Sequence, residues 1–394
     1  MTEVVGTISQ IKVTGALAQL DVTAEIARVV LVSGPAFVSA EIGTTADNKI
    51  VITFDAAFNE SYVPATSAFS TTGITGSPTI TVVSVSGVTV TLTLSGDATS
   101  GDTITVGYTI PGSNPLQDAD GKMSSTFAGE SVTNNITVFC AEYQAVYDAY
   151  TIKPDAATAA IWNTYVRSGV ADGWWAKEDV EYVYAAHTND NGEALINWKN
   201  PGTFDAAAFN APAFVANEGF TGNGTTQYID CNWNPSANGV NYVLNSASMG
   251  VYIRTNVKEA KFDIGANNIG QHINATQIIA RWSDDNAYIR INTATPLGGG
   301  NLDSRGMYVS ARTAVNVNNL YKNKVSIANS ADASVGLTSS NIYTLARNDG
   351  GSALDFNAKQ LSMAFAGAGM TQTDVNNKTD AFNAAMTALG TNVF

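Results

Sequence analysis

Glu218-Gly219-Phe220-Thr221-Gly222-Asn223-Gly224-Thr225-Thr226-Gln227-Tyr228-Ile229-Asp230 takes an apolar residue into a Gly/Asn turn and leaves it as a strand. Phe220 and Tyr228 bracket the turn, and Gly222 and Gly224 are free to adopt the positive φ that a tight reversal needs. Tyr228 and Asp230 then share one face of the outgoing strand. The stretch predicts a β-hairpin in an antiparallel sandwich.

Upstream, residues 36–138 carry the same architecture in a clearer form. Ile50, Ile52 and Phe54 alternate with Val51 and Thr53; Val88, Val90, Leu92 and Leu94 alternate with Thr89, Thr91, Thr93 and Ser95. Ile104, Val106, Tyr108 and Ile110 repeat the pattern. Period-2 runs separated by Ser-Gly and Gly-Asp turns predict a half-buried antiparallel sandwich with no helix. Asp118-x-Asp120-Gly121 has the opening of a calcium loop, but Gly129 stands where a bidentate Glu is needed, which favours a plain turn with Gly121 left-handed.

Residues 1–35 alternate weakly and read as an attachment arm, and 139–153 read as a linker. Pro154-Asp155, apolar Ala157, Ile161, Tyr165 and Val166, and a closing Asp172-Gly173 predict a helix. Strands follow to the end, where Thr371 with Asp374, then Val375, Phe382, Met386 and Leu389 on one face, predict an amphipathic helix lying across the sandwich.

At 394 residues the chain suits two or three domains, and 45% apolar with only 14% charged residues fits a β-rich extracellular or virion protein. The net charge of −14 with 20 Lys and Arg offers no basic stripe, which argues against nucleic-acid binding. No run approaches the roughly 18 apolar residues of a membrane helix. Val29-Val30-Leu31-Val32 lies too deep and too near Gly34-Pro35 to serve as a secretion signal. Cys140 and Cys231 lack any metal or disulfide spacing and read as two isolated small hydrophobes, a single bridge between them being the alternative.

Two segments carry a family resemblance. Lys49-Ile50-Val51-Ile52-Thr53-Phe54 and the closing Tyr108-Thr109-Ile110-Pro111-Gly112 resemble the Ig-like repeats of bacterial adhesins and phage structural proteins. Trp175-Ala176-Lys177-Glu178-Asp179, Ala194 to Pro201, the glycine stretch above, Tyr308 to Thr313, Leu320 to Asn323 and Leu345 to Asn348 resemble the laminin-G-like, concanavalin-like modules of tailed-phage structural proteins. The resemblance implies a mainly β chain: an arm at 1–35, an Ig-like β-sandwich at 36–138, a linker at 139–153, and a laminin-G-like jelly roll at 154–394 with one or two flanking helices. It also implies a non-enzymatic virion component, as head fibre, capsid decoration or tail fibre. Such a protein is assembled in the host cytoplasm, docks on other virion proteins as a homo-oligomer, with a trimer as the guess, and displays a jelly roll that adheres to surface glycans. The alternative is a bacterial carbohydrate-binding adhesin.

For chemistry the sequence offers little. Glu178-Asp179 with Glu181 does not have the Glu-x-Asp-x-x-Glu spacing that sets two glycanase carboxylates about 5 Å apart, and it reads as surface charge. His187 and His272 have no partner at ligand spacing, and no Gly-x-Ser-x-Gly elbow occurs. No catalytic, metal or cofactor residue is assigned. Six tryptophans, Trp162, Trp174, Trp175, Trp198, Trp233 and Trp282, together with Asn/Asp-rich turns, are the materials of a sugar site. Trp233, flanked by Asn232 and Asn234, is the candidate glycan contact.

Overall fold

The structure is a computed structural model that describes residues 33–43, 46–136, 138–268, 272 and 274–394, and every count below refers to these. All but the last three residues of the arm at 1–35 lie outside the described residues. The chain forms two compact units, Met1–Val138 and Phe139–Phe394. Both are mainly β.

The first unit holds β1 (Phe37–Ile42), β2 (Lys49–Phe54), β3 (Phe69–Thr72), β4 (Ile80–Ser86), β5 (Thr89–Leu94), β6 (Thr105–Tyr108) and β7 (Phe127–Asn134). They join in the order β3-β6-β7-β1-β2-β5-β4, antiparallel except for β1 against β7. The period-2 pattern explains the core: Ile50, Ile52, Val90, Leu92 and Val106 are all at most 1% exposed, and each such burial contributes about 1.5–3 kcal/mol. Val88 and Ile110 extend the same rows in sequence but fall beyond the strand ends and are exposed. At the acidic turn Asp118 Oδ1 accepts from the amides of Asp120 (3.0 Å) and Lys122 (2.8 Å), and Gly121 sits at φ 80°.

The second unit runs α1 (Ala141–Ala149), α2 (Ala156–Asp172), β8 (Glu178–Val183), β9 (Ala207–Phe209), β10 (Ala213–Val215), β11 (Gly219–Thr221), β12 (Tyr228–Asp230), α3 (Pro235–Asn238), β13 (Ala247–Ile253), β14 (Ile264–Asn267), β15 (Ala275–Ile279) and β16 (Asn286–Thr293). It continues with β17 (Leu297–Gly300), β18 (Gly306–Ala314), β19 (Val317–Lys322), β20 (Val325–Ser330), β21 (Tyr343–Thr344), β22 (Arg347–Asp349), β23 (Ser352–Leu354), β24 (Gln360–Gly367) and α4 (Gln372–Ala388). An eight-stranded sheet, β10-β11-β24-β13-β18-β19-β20 with β8 beside β24, packs on a nine-stranded sheet, β17-β16-β15-β14-β21-β12-β9 with β22 and β23 attached through β14. Phe220, Met249, Val251, Ile264, Ile278 and Ile289 fill the space between them.

The other face of the eight-stranded sheet is covered by helices. Tyr252, Val309, Met363 and Phe365 meet Trp162, Tyr165, Val166, Phe382 and Met386 from α2 and α4 in a second core. Asp155 caps α2 by accepting from Thr158 N at 2.7 Å, and Gly173 ends it at φ 79°. Thr371 and Asp374 form a reciprocal capping box on α4. No helix among the described residues is long and apolar enough to cross a membrane.

Three expectations are corrected here. The opening stretch is not a hairpin, because β11 pairs with β10 and β24 while β12 pairs with β9 and β21. It is a crossover that carries the chain from one sheet to the other. Gly224 does take φ 73°, but Gly222 is needed for space, since a Cβ there would lie 2.3 Å from the Asn357 carbonyl oxygen. The stretch 139–153 is no plain linker: it carries α1, whose Tyr143 and Val146 are fully buried in the second unit's core. Finally, Glu178 and Glu181 are not surface charge. Both are buried against Lys378 of α4, whose Nζ lies 2.6 Å from Glu178 Oε1 and 2.9 Å from Glu181 Oε2.

Candidate site on the outer face of the nine-stranded sheet

Alternation along β16 sets the site. Ala287, Ile289 and Ile291 point into the core, so Tyr288 and Arg290 point outward. Cross-strand register places Ile279 opposite Tyr288 and Gln277 opposite Arg290. The turn between β15 and β16 holds Trp282, whose backbone N–H donates to Asn286 O at 2.8 Å, and Asp285 adopts φ 62° within it. Trp282 and Tyr288 meet edge to face with centroids 6.5 Å apart, and Tyr288 OH donates to Asp284 Oδ2 at 2.6 Å. On the neighbouring β17, Gly298 leaves room for the Tyr288 ring, because a Cβ there would lie 2.4 Å from its Cε1.

The aromatic pair walls an open cleft of about 460 Å³ whose other lining residues include Phe262, His272, Ile279, Pro296, Arg290, Arg347 and Asp355. A buried hydrogen-bonded line behind the cleft holds its two arginines. Arg290 Nη1 donates to Gln277 Oε1 (3.1 Å), Gln277 Nε2 to Asn267 Oδ1 (3.0 Å), and Arg347 Nη1 to the same Asn267 oxygen (2.6 Å). Arg347 is neutralised by Asp355 at 2.9 Å and lies over the Phe262 ring at 5.1 Å. Gly265, at φ 149°, keeps β14 close to β15; a Cβ would lie 2.5 Å from the Thr276 carbonyl oxygen. Burial, and then the charge of Arg347, lowers the Arg290 pKa. Partial desolvation, followed by the charges of Arg290 and Arg347, lowers the His272 pKa from its ordinary value of 6.5.

A second cleft of about 460 Å³ opens on the same sheet, lined by Asn268, Ser339, Ser340, Asn341, Tyr343, Asn348 and two glycines. Tyr343 belongs to a ladder of rings that runs across three strands: it stacks on Tyr228 at 4.8 Å, which stacks on Phe209 at 4.7 Å. Asn341 Nδ2 donates to Asp230 Oδ1 at 3.2 Å. Burial raises the Asp230 pKa.

The residues singled out from sequence lie elsewhere. Trp233 is 1% exposed, packed edge to face on Tyr242 in the inter-sheet core. Asn232 is exposed at φ 50° with its Nδ2 donating to Asp205 O at 2.7 Å. Asn234 caps α3, its side chain accepting from the Ser236 and Ala237 amides. Trp162, Trp174, Trp175 and Trp198 are also buried, whereas Trp282 lines the cleft. A sequence signal for it existed: Trp282 precedes the turn Ser283-Asp284-Asp285-Asn286, and Tyr288 and Arg290 follow on the polar face of the next strand. His187 bonds Ile152 O through Nε2 at 2.8 Å, and both cysteines are free.

A family model described as "Putative flagellar system-associated repeat" matches residues 32–113. No curated protein matches the chain. Among solved structures, the chain is similar to the N-terminal part of the bacterial S-layer protein SbsC, at 24% identity and TM-score 0.22 over 27% of this chain and 24% of that one. It is similar to the CBM40 of a Ruminococcus gnavus IT-sialidase bound to α2,3-sialyllactose, at 11% identity and TM-score 0.29 over 35% of this chain and 83% of that one. A Trypanosoma rangeli sialidase mutant displaying trans-sialidase activity matches at 12% identity and TM-score 0.37 over 73% of this chain and 43% of that one. The match thus spans about a quarter of the S-layer structure.

These neighbours correct the expectation of a tailed-phage virion protein, whether head fibre, decoration or tail fibre, because they are S-layer and sialidase domains. The physical reason is visible in the segments that suggested it. Trp175-Ala176-Lys177 is a 3-10 turn whose tryptophan packs into the core, and the glycine stretch is a sheet crossover. Both are requirements of a sandwich, and a sandwich does not specify a virion.

Proposed function

We propose that this chain is a bacterial carbohydrate-binding adhesin, with the first unit an Ig-like module and the second a laminin-G-like jelly roll that holds glycans without turning them over. The observation that carries the reading is the cleft walled by Trp282 and Tyr288 and lined by the guanidinium groups of Arg290 and Arg347, which buried amides hold in place. A half-exposed ring stacks on the apolar face of a sugar while neighbouring donors and acceptors bond its hydroxyls. The second cleft, with Asn and Ser side chains beside Tyr343, extends the same chemistry along the sheet. Single sites of this kind bind weakly, and display in many copies raises avidity by roughly 10²–10⁴.

A glycan array probed with the whole chain and with Trp282→Ala tests this. The parent is expected to bind a subset of glycans, and the variant to lose about tenfold or more, ~1.4 kcal/mol, while its melting temperature stays put because the ring is outside both cores. An array with no signal above background, or a variant that binds as well as the parent, sinks the reading.

A further inference from the structure

Arg290 stands apart from the other cations in its surroundings. Arg347 has Asp355 at 2.9 Å and Asp349 at 3.8 Å, and Arg281 has Asp285 at 2.8 Å. Among the described residues Arg290 has no carboxylate within ion-pair distance. Its Nε donates to Ala294 O at 3.0 Å and its Nη1 to Gln277 Oε1 at 3.1 Å, two neutral acceptors that fix the plane of the guanidinium. No described residue accepts from Nη2. The group lines the cleft beside Tyr288, two residues along the same strand face. An uncompensated, half-buried cation held by neutral acceptors is arranged to receive an anion, and guanidinium matches carboxylate geometry in particular.

We propose that the glycan held in this cleft is acidic, with Arg290 receiving a sugar carboxylate while Trp282 and Tyr288 flank the apolar face of the ring. The inference rests on the carbohydrate-binding reading above and sharpens it. The chain carries a net charge of −14, so its overall field repels acidic ligands. Selectivity for them must come from a local contact.

The test is calorimetric titration of the full chain with matched pairs: α2,3-sialyllactose against lactose, and trigalacturonic acid against its methyl ester. At least one acidic member is expected to bind about ten- to a hundredfold more tightly than its neutral counterpart, as a charge-assisted hydrogen bond allows. Arg290→Gln should erase that preference, bringing the acidic member of a pair down to the affinity of its neutral counterpart, and Arg290→Lys, which keeps the charge, should retain part of it. The preference should also shrink as salt is raised to about 1 M. If neutral sugars bind as well as acidic ones, or if Arg290→Gln keeps the preference, the acidic assignment falls and carbohydrate binding stands. If neither member of either pair binds, the acidic assignment falls, and carbohydrate binding falls with it if the glycan array is also silent. A melting curve for each variant separates lost binding from lost folding.

Discussion

Lys378→Met is expected to cost the second unit about 3–5 kcal/mol and to change the shape of its pH dependence. Lys378, Glu178 and Glu181 are at most 2% exposed, and Tyr165 OH donates to Glu181 Oε1 at 2.5 Å. The ammonium also lies 4.2 Å from the Trp174 ring centre and 4.3 Å from that of Phe365, which leaves the carboxyls among apolar groups when it is removed. Burial and the adjacent Glu181 charge hold the Glu178 carboxyl well above its ordinary value of 4.5. Burial alone would raise Glu181 too, but the charge of Lys378, with the hydrogen bond from Tyr165, holds it lower. The cluster therefore keeps one proton and one negative charge against one ammonium.

The linkage follows. Between the lowered folded value of Glu181 and pH 4.5 the unfolded chain binds two protons where the folded cluster binds one, so stability rises with pH across that window. Above 4.5 the unfolded chain binds none, so stability falls as pH climbs toward the raised value of Glu178. The contribution peaks near 4.5. With Met at 378 both carboxyls stay protonated in the fold, and the contribution declines steadily as pH rises through 4.5. Glu178→Gln leaves only the rising acid limb. Urea melts of the three proteins from about pH 3 to 8 distinguish these profiles. Matching curves for the parent and Lys378→Met would falsify the single-charge account.

Much of the fold is legible because its causes are local. Ile50, Ile52 and Phe54 alternate within one strand, and Thr371 meets Asp374 within one helical turn. What the sequence hides is decided by distant residues. Lys378 reaches Glu181 across 197 positions, and nothing near Glu178-Asp179-Glu181 announces that partner. A strand-turn-strand reads alike whether its strands pair with each other or with different sheets, since pairing is set elsewhere in the chain. Trp233 and Trp282 both stand beside polar turns. Trp233 lies beneath the opposing sheet and Trp282 on the outer face, which no local pattern records. The site is legible in its materials, an aromatic and an Asn/Asp turn, and not in its position.

Gly219→Ala is expected to destabilise the second unit by about 3 kcal/mol or more, well beyond the roughly 1–2 kcal/mol of placing an L-residue at positive φ. Gly219 sits at φ 114°, and a Cβ there would lie 2.0 Å from the carbonyl oxygen of Leu361. Leu361 belongs to β24, which is paired with β11 through Phe220 and with β13 through Ile253, so its backbone has little freedom to retreat. Ser362 Oγ also donates to Glu218 O at 2.6 Å, tying the start of the crossover to that strand. Relief must come from detaching β11, which pulls Phe220 out of the core between the sheets. Gly224→Ala is the control that separates strain from collision. Its φ of 73° is also positive, but its nearest neighbour is the Ala358 Cβ at 3.6 Å, an ordinary contact. It should cost no more than the backbone strain. Equal, small losses in denaturant melts of both variants would mean that β24 yields to the added methyl, and that the crossover is held by its flanking strands rather than by the close approach at Gly219.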